Sequence, residues 1–195
     1  MVKYPSGVRV TRSLSKKTTT QYGSRGMSLE ERLNQSNLFY TANRIAIIHK
    51  KPTPIQVVKV DYPKRSAARI VEAYYRQAST TDYNGVYQGK YIDFEAKETT
   101  NKTRLPLANL PQHQIEHMKN CHEQGGIVFL IIAFTAHQKV FLLPYEMLEH
   151  YLTTSDNPKS IPYDFLKENA YECEQGLFPH IDYLKAVDQL LERSY

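Results

Sequence analysis

Between Thr80 and Lys97 the chain carries two arms, Thr80-Thr81-Asp82-Tyr83-Asn84-Gly85 and Tyr91-Ile92-Asp93-Phe94-Glu95-Ala96-Lys97. They read as a β-hairpin whose second arm alternates. Tyr91, Asp93, Glu95 and Lys97 fall on one face, and Ile92, Phe94 and Ala96 on the other. The second face is apolar and suits a core. The first places two carboxylates and an ammonium where a strand usually carries Val, Ile or Thr. Asp82, on the preceding arm, is near enough to join them. Paired carboxylates can hold Mg²⁺ through hard oxygen ligands. A lysine beside such a metal can orient a water or offset charge on a phosphate. Asp82, Glu95 and Lys97 are therefore the candidate catalytic set, and the chemistry they suit is metal-dependent phosphodiester hydrolysis. Alone, an acid followed by Glu-x-Lys also describes a solvated strand face, where opposite charges pair across strands.

The elements around this hairpin must position it. Ser28-Leu29-Glu30-Glu31 has the form of a capping box and predicts a helix to about Ala42. Glu30, in its first turn, reads as a partner of the helix dipole. Ile45 to Ile48 reads as a buried strand and Ile55 to Val60 as another, with Pro52 and Pro54 between them. Ala67, Ile70, Val71 and Tyr74 form an apolar stripe that predicts a helix over 66–77. The basic, proline-bounded stretch of about 51–75 reads as an insertion projecting from the core. The hairpin spans about 82–98, with Asn84-Gly85 and Gln88-Gly89-Lys90 as turn chemistry. Pro111 opens a helix that Gly125-Gly126 ends. Ile127 to Phe134 is a continuous apolar run suited to a central strand, and Lys139 to Leu143 is the next strand. Helices follow from Pro144 to Leu152 and from about Tyr183 to Leu191, with a polar loop between. The fold class is α/β: a mixed β-sheet flanked by helices. Gln114 lies in the helix after the hairpin. Its amide oxygen could reach a metal held there if that helix packs across the sheet. His113 and His117 share a helix face at zinc-ligand spacing, but a zinc site needs three or four convergent ligands, so they read as polar surface imidazoles.

Charge points to the partner. The net charge is +5, and residues 1–25 alone exceed it, with Lys3, Arg9, Arg12, Lys16, Lys17 and Arg25 and no acid. This arm reads as disordered. A second basic block runs through Lys50, Lys51, Lys59, Lys64, Arg65 and Arg69 with one acid, Asp61. From Val140 on, 4 basic residues face 10 acidic ones. Two basic blocks kept apart from an acidic third suit phosphate contacts that position a nucleic acid without reading its sequence. Arg25, Lys50, Lys51, Lys59, Lys64, Arg65 and Arg69 are the candidate DNA contacts. Tyr62, Tyr74 and Tyr75 could stack on unpaired bases. There is no apolar run of membrane-spanning length, no secretion signal and no phosphate-binding glycine loop. Cys121 and Cys173 fit neither a disulfide framework nor a CxxC zinc site. These features predict a cytoplasmic protein.

From Gly23 on, the chain resembles the RecU family of Holliday-junction resolvases of low-GC Gram-positive bacteria. The resemblance is carried by Arg25-Gly26-Met27-Ser28-Leu29-Glu30, by Ile48-His49-Lys50-Lys51-Pro52-Thr53-Pro54 and by Val60-Asp61-Tyr62-Pro63-Lys64-Arg65-Ser66. It continues through Ser79 to Gly85, Tyr91 to Thr99, and His113-Gln114-Ile115-Glu116-His117-Met118. It implies a restriction-endonuclease-like fold of the PD-(D/E)xK kind, although the residue before Asp82 is Thr81 rather than Pro. It implies metal ligands at Thr80, Asp82, Glu95 and Gln114 and a transition-state lysine at Lys97, with Mg²⁺ as cofactor and Mn²⁺ as substitute. Residues 26–195 would form the nuclease domain and about 51–75 a stalk entering the junction centre. A homodimer would nick four-way junction DNA symmetrically during homologous recombination and DNA repair, at the nucleoid, alongside the RecA recombinase and the RuvAB branch-migration proteins. The rival reading is a non-catalytic architectural protein that binds branched DNA through its basic blocks.

Overall fold

The structure is a computed structural model that describes residues 26–64, 67–76 and 80–193. The basic arm, with Arg25, and the candidate contact Arg65 lie outside the described residues. Among the described residues there are five α-helices: α1 (Leu29–Ala42), α2 (Gln112–Glu123), α3 (Tyr145–Thr154), α4 (Tyr163–Asn169) and α5 (Tyr183–Arg193). The strands through the hairpin are β1 (Ile47–Lys50), β2 (Ile55–Asp61), β3 (Arg69–Tyr75), β4 (Tyr83–Tyr87) and β5 (Lys90–Thr99). After it come β6 (Arg104–Pro106), β7 (Ile127–Phe134), β8 (Lys139–Pro144), β9 (Ser160–Pro162), β10 (Tyr171–Glu172), β11 (Glu174–Gln175) and β12 (Ile181–Asp182).

The main sheet has six strands in the order β1-β4-β5-β7-β8-β10. β5 and β7 run parallel, and the other neighbours are antiparallel. This is the mixed sheet flanked by helices that the sequence predicts. All eight residues of β7 are buried, because helices cover both sheet faces. Phe129 and Ile131 pack with Leu33 and Tyr40 of α1 and with Tyr183 and Val187 of α5. Val128, Leu130 and Ile132 pack on the other side with Met118 of α2, Leu148 of α3 and Leu166 of α4. Each such side chain contributes about 1.5–3 kcal/mol by leaving water, so β7 is the spine of both layers. Phe94 of β5 lies stacked between Tyr83 and Phe129, with ring centroids 4.7 and 4.8 Å away. That stack fixes which face of β5 looks at the first core and leaves Asp93, Glu95 and Lys97 on the opposite face.

α1 begins as the capping box predicts. Glu31 N–H donates to the Ser28 hydroxyl at 3.2 Å, and Ser28 N–H donates to the Glu31 carboxylate at 2.9 Å. The Leu29 N–H donates to Glu98 of β5 at 2.9 Å, which fastens the helix start to the sheet. The hairpin turn lies at Gln88-Gly89, both with positive φ. Asn84-Gly85 is not a turn but part of β4. There the backbone of β1 passes so close that a Cβ on Gly85 would lie 2.0 Å from the Ile47 carbonyl oxygen.

Two further expectations are corrected. The helix expected over 66–77 is absent from its described residues: Arg69–Tyr75 forms β3, paired antiparallel with β2 in a sheet of its own. Ile70, Val71, Tyr74 and Tyr75 are β-branched or aromatic and favour strand, and β2 supplies the hydrogen-bonding partner that a spacing argument cannot see. Nearly every side chain of this ribbon is exposed. The region between α3 and α5 is also not a plain polar loop, since α4 and short bridging strands lie there. No described helix is long and apolar enough to cross a membrane.

Candidate active site

The centre of the site is Glu95. Its strand position puts it on the polar face of β5, where it is buried. One carboxylate oxygen accepts the Asp82 backbone N–H at 3.0 Å, and the other accepts the Lys97 ammonium at 2.6 Å. Asp82, Glu95 and Lys97 are therefore brought together as the sequence predicts. Burial pushes the Glu95 carboxyl up to about 7, and the negative charge of Asp82 adds to the shift while Lys97 opposes it. Asp82 is half-buried at the entrance to β4, and Thr80, also half-buried, lies two residues before it.

Gln114 belongs to the first turn of α2, which packs against β5 and β7. Its side-chain oxygen is buried and has no hydrogen-bond partner. A buried acceptor left unpaired costs about 1–3 kcal/mol. His117 follows it by one helical turn, on the same face, and His117 touches Asp93 of β5. The orphaned oxygen therefore lies on the α2 face turned to the acidic side of β5. A hard divalent cation among Asp82, Glu95 and Gln114 would satisfy that acceptor and add positive charge beside the two carboxylates, of which Glu95 has only Lys97 against it. All three offer oxygen, the donor that Mg²⁺ and Mn²⁺ prefer. The residues present fit the group.

A second polar cluster lies on the same strand face, and the sequence reading missed it. Asp93 is fully buried. Its carboxylate accepts from the Lys51 ammonium at 2.8 Å, from the Tyr91 hydroxyl at 2.7 Å and from the Thr81 hydroxyl. His117 Nε2 lies 3.3 Å from it, and Cys121 Sγ lies 3.5 Å from the same imidazole. Asp93, His117 and Cys121 offer donor atoms within 4.8 Å of one another, which could suit a metal. The Lys51 ammonium, 2.8 Å from Asp93 and 3.4 Å from His117, already supplies a cation there. His117 is thus not a surface imidazole. The period-2 alternation does place Asp93 on this face, but nothing local in the sequence tells that Lys51 is its partner.

The candidate DNA contacts divide. Lys59, Lys64 and Arg69 are exposed on the β2–β3 ribbon, beside the exposed rings of Tyr62, Tyr74 and Tyr75. Lys50 ends β1 and pairs with Glu30 of α1 at 2.5 Å, both partly open to solvent. Lys51 stands apart, its ammonium turned inward to Asp93 and Thr81.

Over residues 24–189 the sequence matches the family described as Recombination protein U. The chain belongs to the RecU family. Within it, the chain is 54% identical over 195 residues to the Holliday junction resolvase RecU of Pediococcus pentosaceus, covering 97% of each chain. It is 57% identical over 173 residues to the Staphylococcus aureus protein of the same name, covering 88% of this chain and 83% of that one. It is 49% identical over 194 residues to that of Streptococcus uberis, covering 97% and 96%.

Proposed function

We propose that this chain is a Holliday-junction resolvase, a divalent-metal-dependent endonuclease that nicks two opposed strands of four-way junction DNA. One observation carries the reading. A buried glutamate held up to about 7, a second carboxylate and a lysine meet on one sheet face, and the helix packed on that sheet carries a buried amide oxygen with no partner. That combination strains a metal-free protein and suits a metal-bound one. The names carried by the RecU relatives support the substrate.

Asp82, Glu95 and Gln114 would hold the metal, with Thr80 beside them. Mg²⁺, or Mn²⁺ in its place, would there acidify a bound water and clamp the scissile phosphate. Glu95 divides its two oxygens: one fixes the Asp82 backbone, and the other draws the Lys97 ammonium into the site. Lys97, held at 2.6 Å by Glu95, would align the attacking water or meet the charge that develops on the phosphate. The ribbon of β2 and β3 is the proposed stalk. Its Lys59, Lys64 and Arg69 would grip phosphates, and its exposed tyrosines would stack on bases opened at the crossover. Lys50 would add to the basic surface, Arg25 and Arg65 are proposed as further DNA contacts on charge alone, and Lys51 is assigned to the site instead. A homodimer would match the two-fold symmetry of the junction and nick it symmetrically. The setting would be recombination and repair at the nucleoid in the cytoplasm, with RecA and RuvAB as companions.

The test is cleavage of a synthetic mobile four-way junction against linear duplex, in Mg²⁺ and in EDTA. Paired nicks in Mg²⁺ alone, lost in Asp82→Asn while junction binding persists, are expected. Binding without cleavage by the wild type in every divalent metal would favour the architectural reading.

A further inference from the structure

The two ends of the β2–β3 ribbon return to one buried side chain. Lys51 lies just before β2, and Thr81 lies shortly after β3. Both are held by Asp93 of β5. The Lys51 ammonium donates to Asp93 and to the Thr81 hydroxyl, each at 2.8 Å, and the Thr81 hydroxyl donates to the other Asp93 oxygen. The Lys51 backbone N–H also donates to the Asp82 carbonyl at 2.7 Å. Lys51 thus grips the segment carrying Thr80 and Asp82 twice, once by its main chain and once by its side chain. Asp93 is wholly buried, and the Lys51 side chain is 18% exposed. A buried carboxylate is costly unless it is paired and hydrogen-bonded. Here Lys51, Thr81 and Tyr91 all donate to it. The candidate ligand Asp82 is the next residue after Thr81, so the Thr81–Asp93–Lys51 contact helps to set its place beside the bond its own carbonyl accepts from Lys51.

We propose that Asp93 and Lys51 are positioning residues: together with Thr81 they clasp both roots of the ribbon and hold Asp82 where a divalent cation can be bound. The inference rests on the metal reading above. Groups that orient metal ligands from behind typically change metal affinity by roughly 10- to 100-fold when removed. Lys51→Met and Asp93→Asn should therefore weaken metal binding without touching the metal.

The probe is Mn²⁺ titrated into the full chain, with the free-ion signal followed by electron paramagnetic resonance, alongside junction cleavage as a function of Mn²⁺. Either single variant can leave a buried group unpaired and unfold. The double variant Lys51→Met/Asp93→Asn leaves no unpaired charge and keeps the test open, and Lys51→Arg serves as the conservative rescue. The expected result is Mn²⁺ binding weakened roughly 10-fold or more in the double variant. Cleavage should recover toward the wild-type maximum at saturating Mn²⁺, and Lys51→Arg should recover part of the affinity. A merely structural role would lower the maximum rate and leave the Mn²⁺ midpoint in place, and that outcome overturns the proposal. Unchanged Mn²⁺ affinity in a folded double variant overturns it too. A wild type that binds no Mn²⁺ overturns the metal reading and this inference with it.

Discussion

Replacing Glu95 by Gln should stabilise the metal-free protein at alkaline pH while abolishing cleavage. The Glu95 carboxyl is pushed from its ordinary 4.5 up to about 7, first by burial and then by Asp82, against the pull of Lys97. A folded carboxyl that holds its proton more tightly than the unfolded one contributes stability below about 4.5 that is lost as pH rises through about 7. At about 1.4 kcal/mol per unit, that loss approaches 3 kcal/mol between pH 4.5 and 8. The amide that replaces the carboxyl in Glu95→Gln does not ionise and escapes it. The exchange also removes one of two acceptors, since the amide nitrogen cannot accept, so Asp82 N–H and Lys97 cannot both be served, which sets a pH-independent offset of about 1 kcal/mol. The difference between variant and wild type should therefore tilt with pH in EDTA, by about 3 kcal/mol from pH 4.5 to 8. For a chain of this length that is roughly 6–12 °C in melting temperature. The assay is thermal or urea unfolding of both proteins across that pH range. Millimolar Mg²⁺ at pH 8 should stabilise only the wild type, through binding to the folded state. Parallel stability curves in EDTA would show that Glu95 is not held above its ordinary range, and the electrostatic case for a metal would fall.

Gln114→Ala should leave metal-free stability unchanged or slightly higher, because the oxygen it removes is buried without a partner. It should raise the Mg²⁺ needed for half-maximal cleavage by roughly tenfold or more, the scale of one lost charge-assisted contact. Replacing 55–75 by a short Gly-Ser link should abolish the preference for four-way junctions over linear duplex. It should hardly change the melting temperature, since the ribbon is a separate two-stranded sheet with exposed side chains; retained junction preference on competitive gels would refute a stalk that reads the junction. Gly85→Ala should cost about 3 kcal/mol in urea unfolding, because its Cβ would press on the Ile47 carbonyl and part β1 from β4; a cost under about 0.5 kcal/mol would contradict that packing.

The parts of the fold that are legible in the sequence are those whose signals are local. The capping box of α1, the apolar run of β7 and the alternation of β5 each sit within a dozen residues and carry their own periodicity. The juxtaposition of the candidate trio is legible for the same reason, since Glu95 and Lys97 share a strand face and Asp82 opens its hairpin partner. β3 is mistaken for a helix because Ile70, Val71 and Tyr74 satisfy a helical spacing as well as a strand preference, and only pairing with β2 decides between them. The short strands β9 to β12 are too brief to show any period. Gln114 can be placed at the site only by resemblance, because its approach to β5 depends on how α2 packs. The Lys51–Asp93 pair joins residues 42 positions apart, and composition turns Lys51 outward with the other basic residues. Charge counting shows that a cation is present but not which way it faces.

The most direct measurement is the anomalous difference map of a crystal grown with Mn²⁺. The account predicts a peak bounded by the carboxylates of Asp82 and Glu95 and the side-chain oxygen of Gln114, with Lys51 still bound to Asp93. A map with no peak there, or with its strongest protein-bound peak among Asp93, His117 and Cys121, would contradict it.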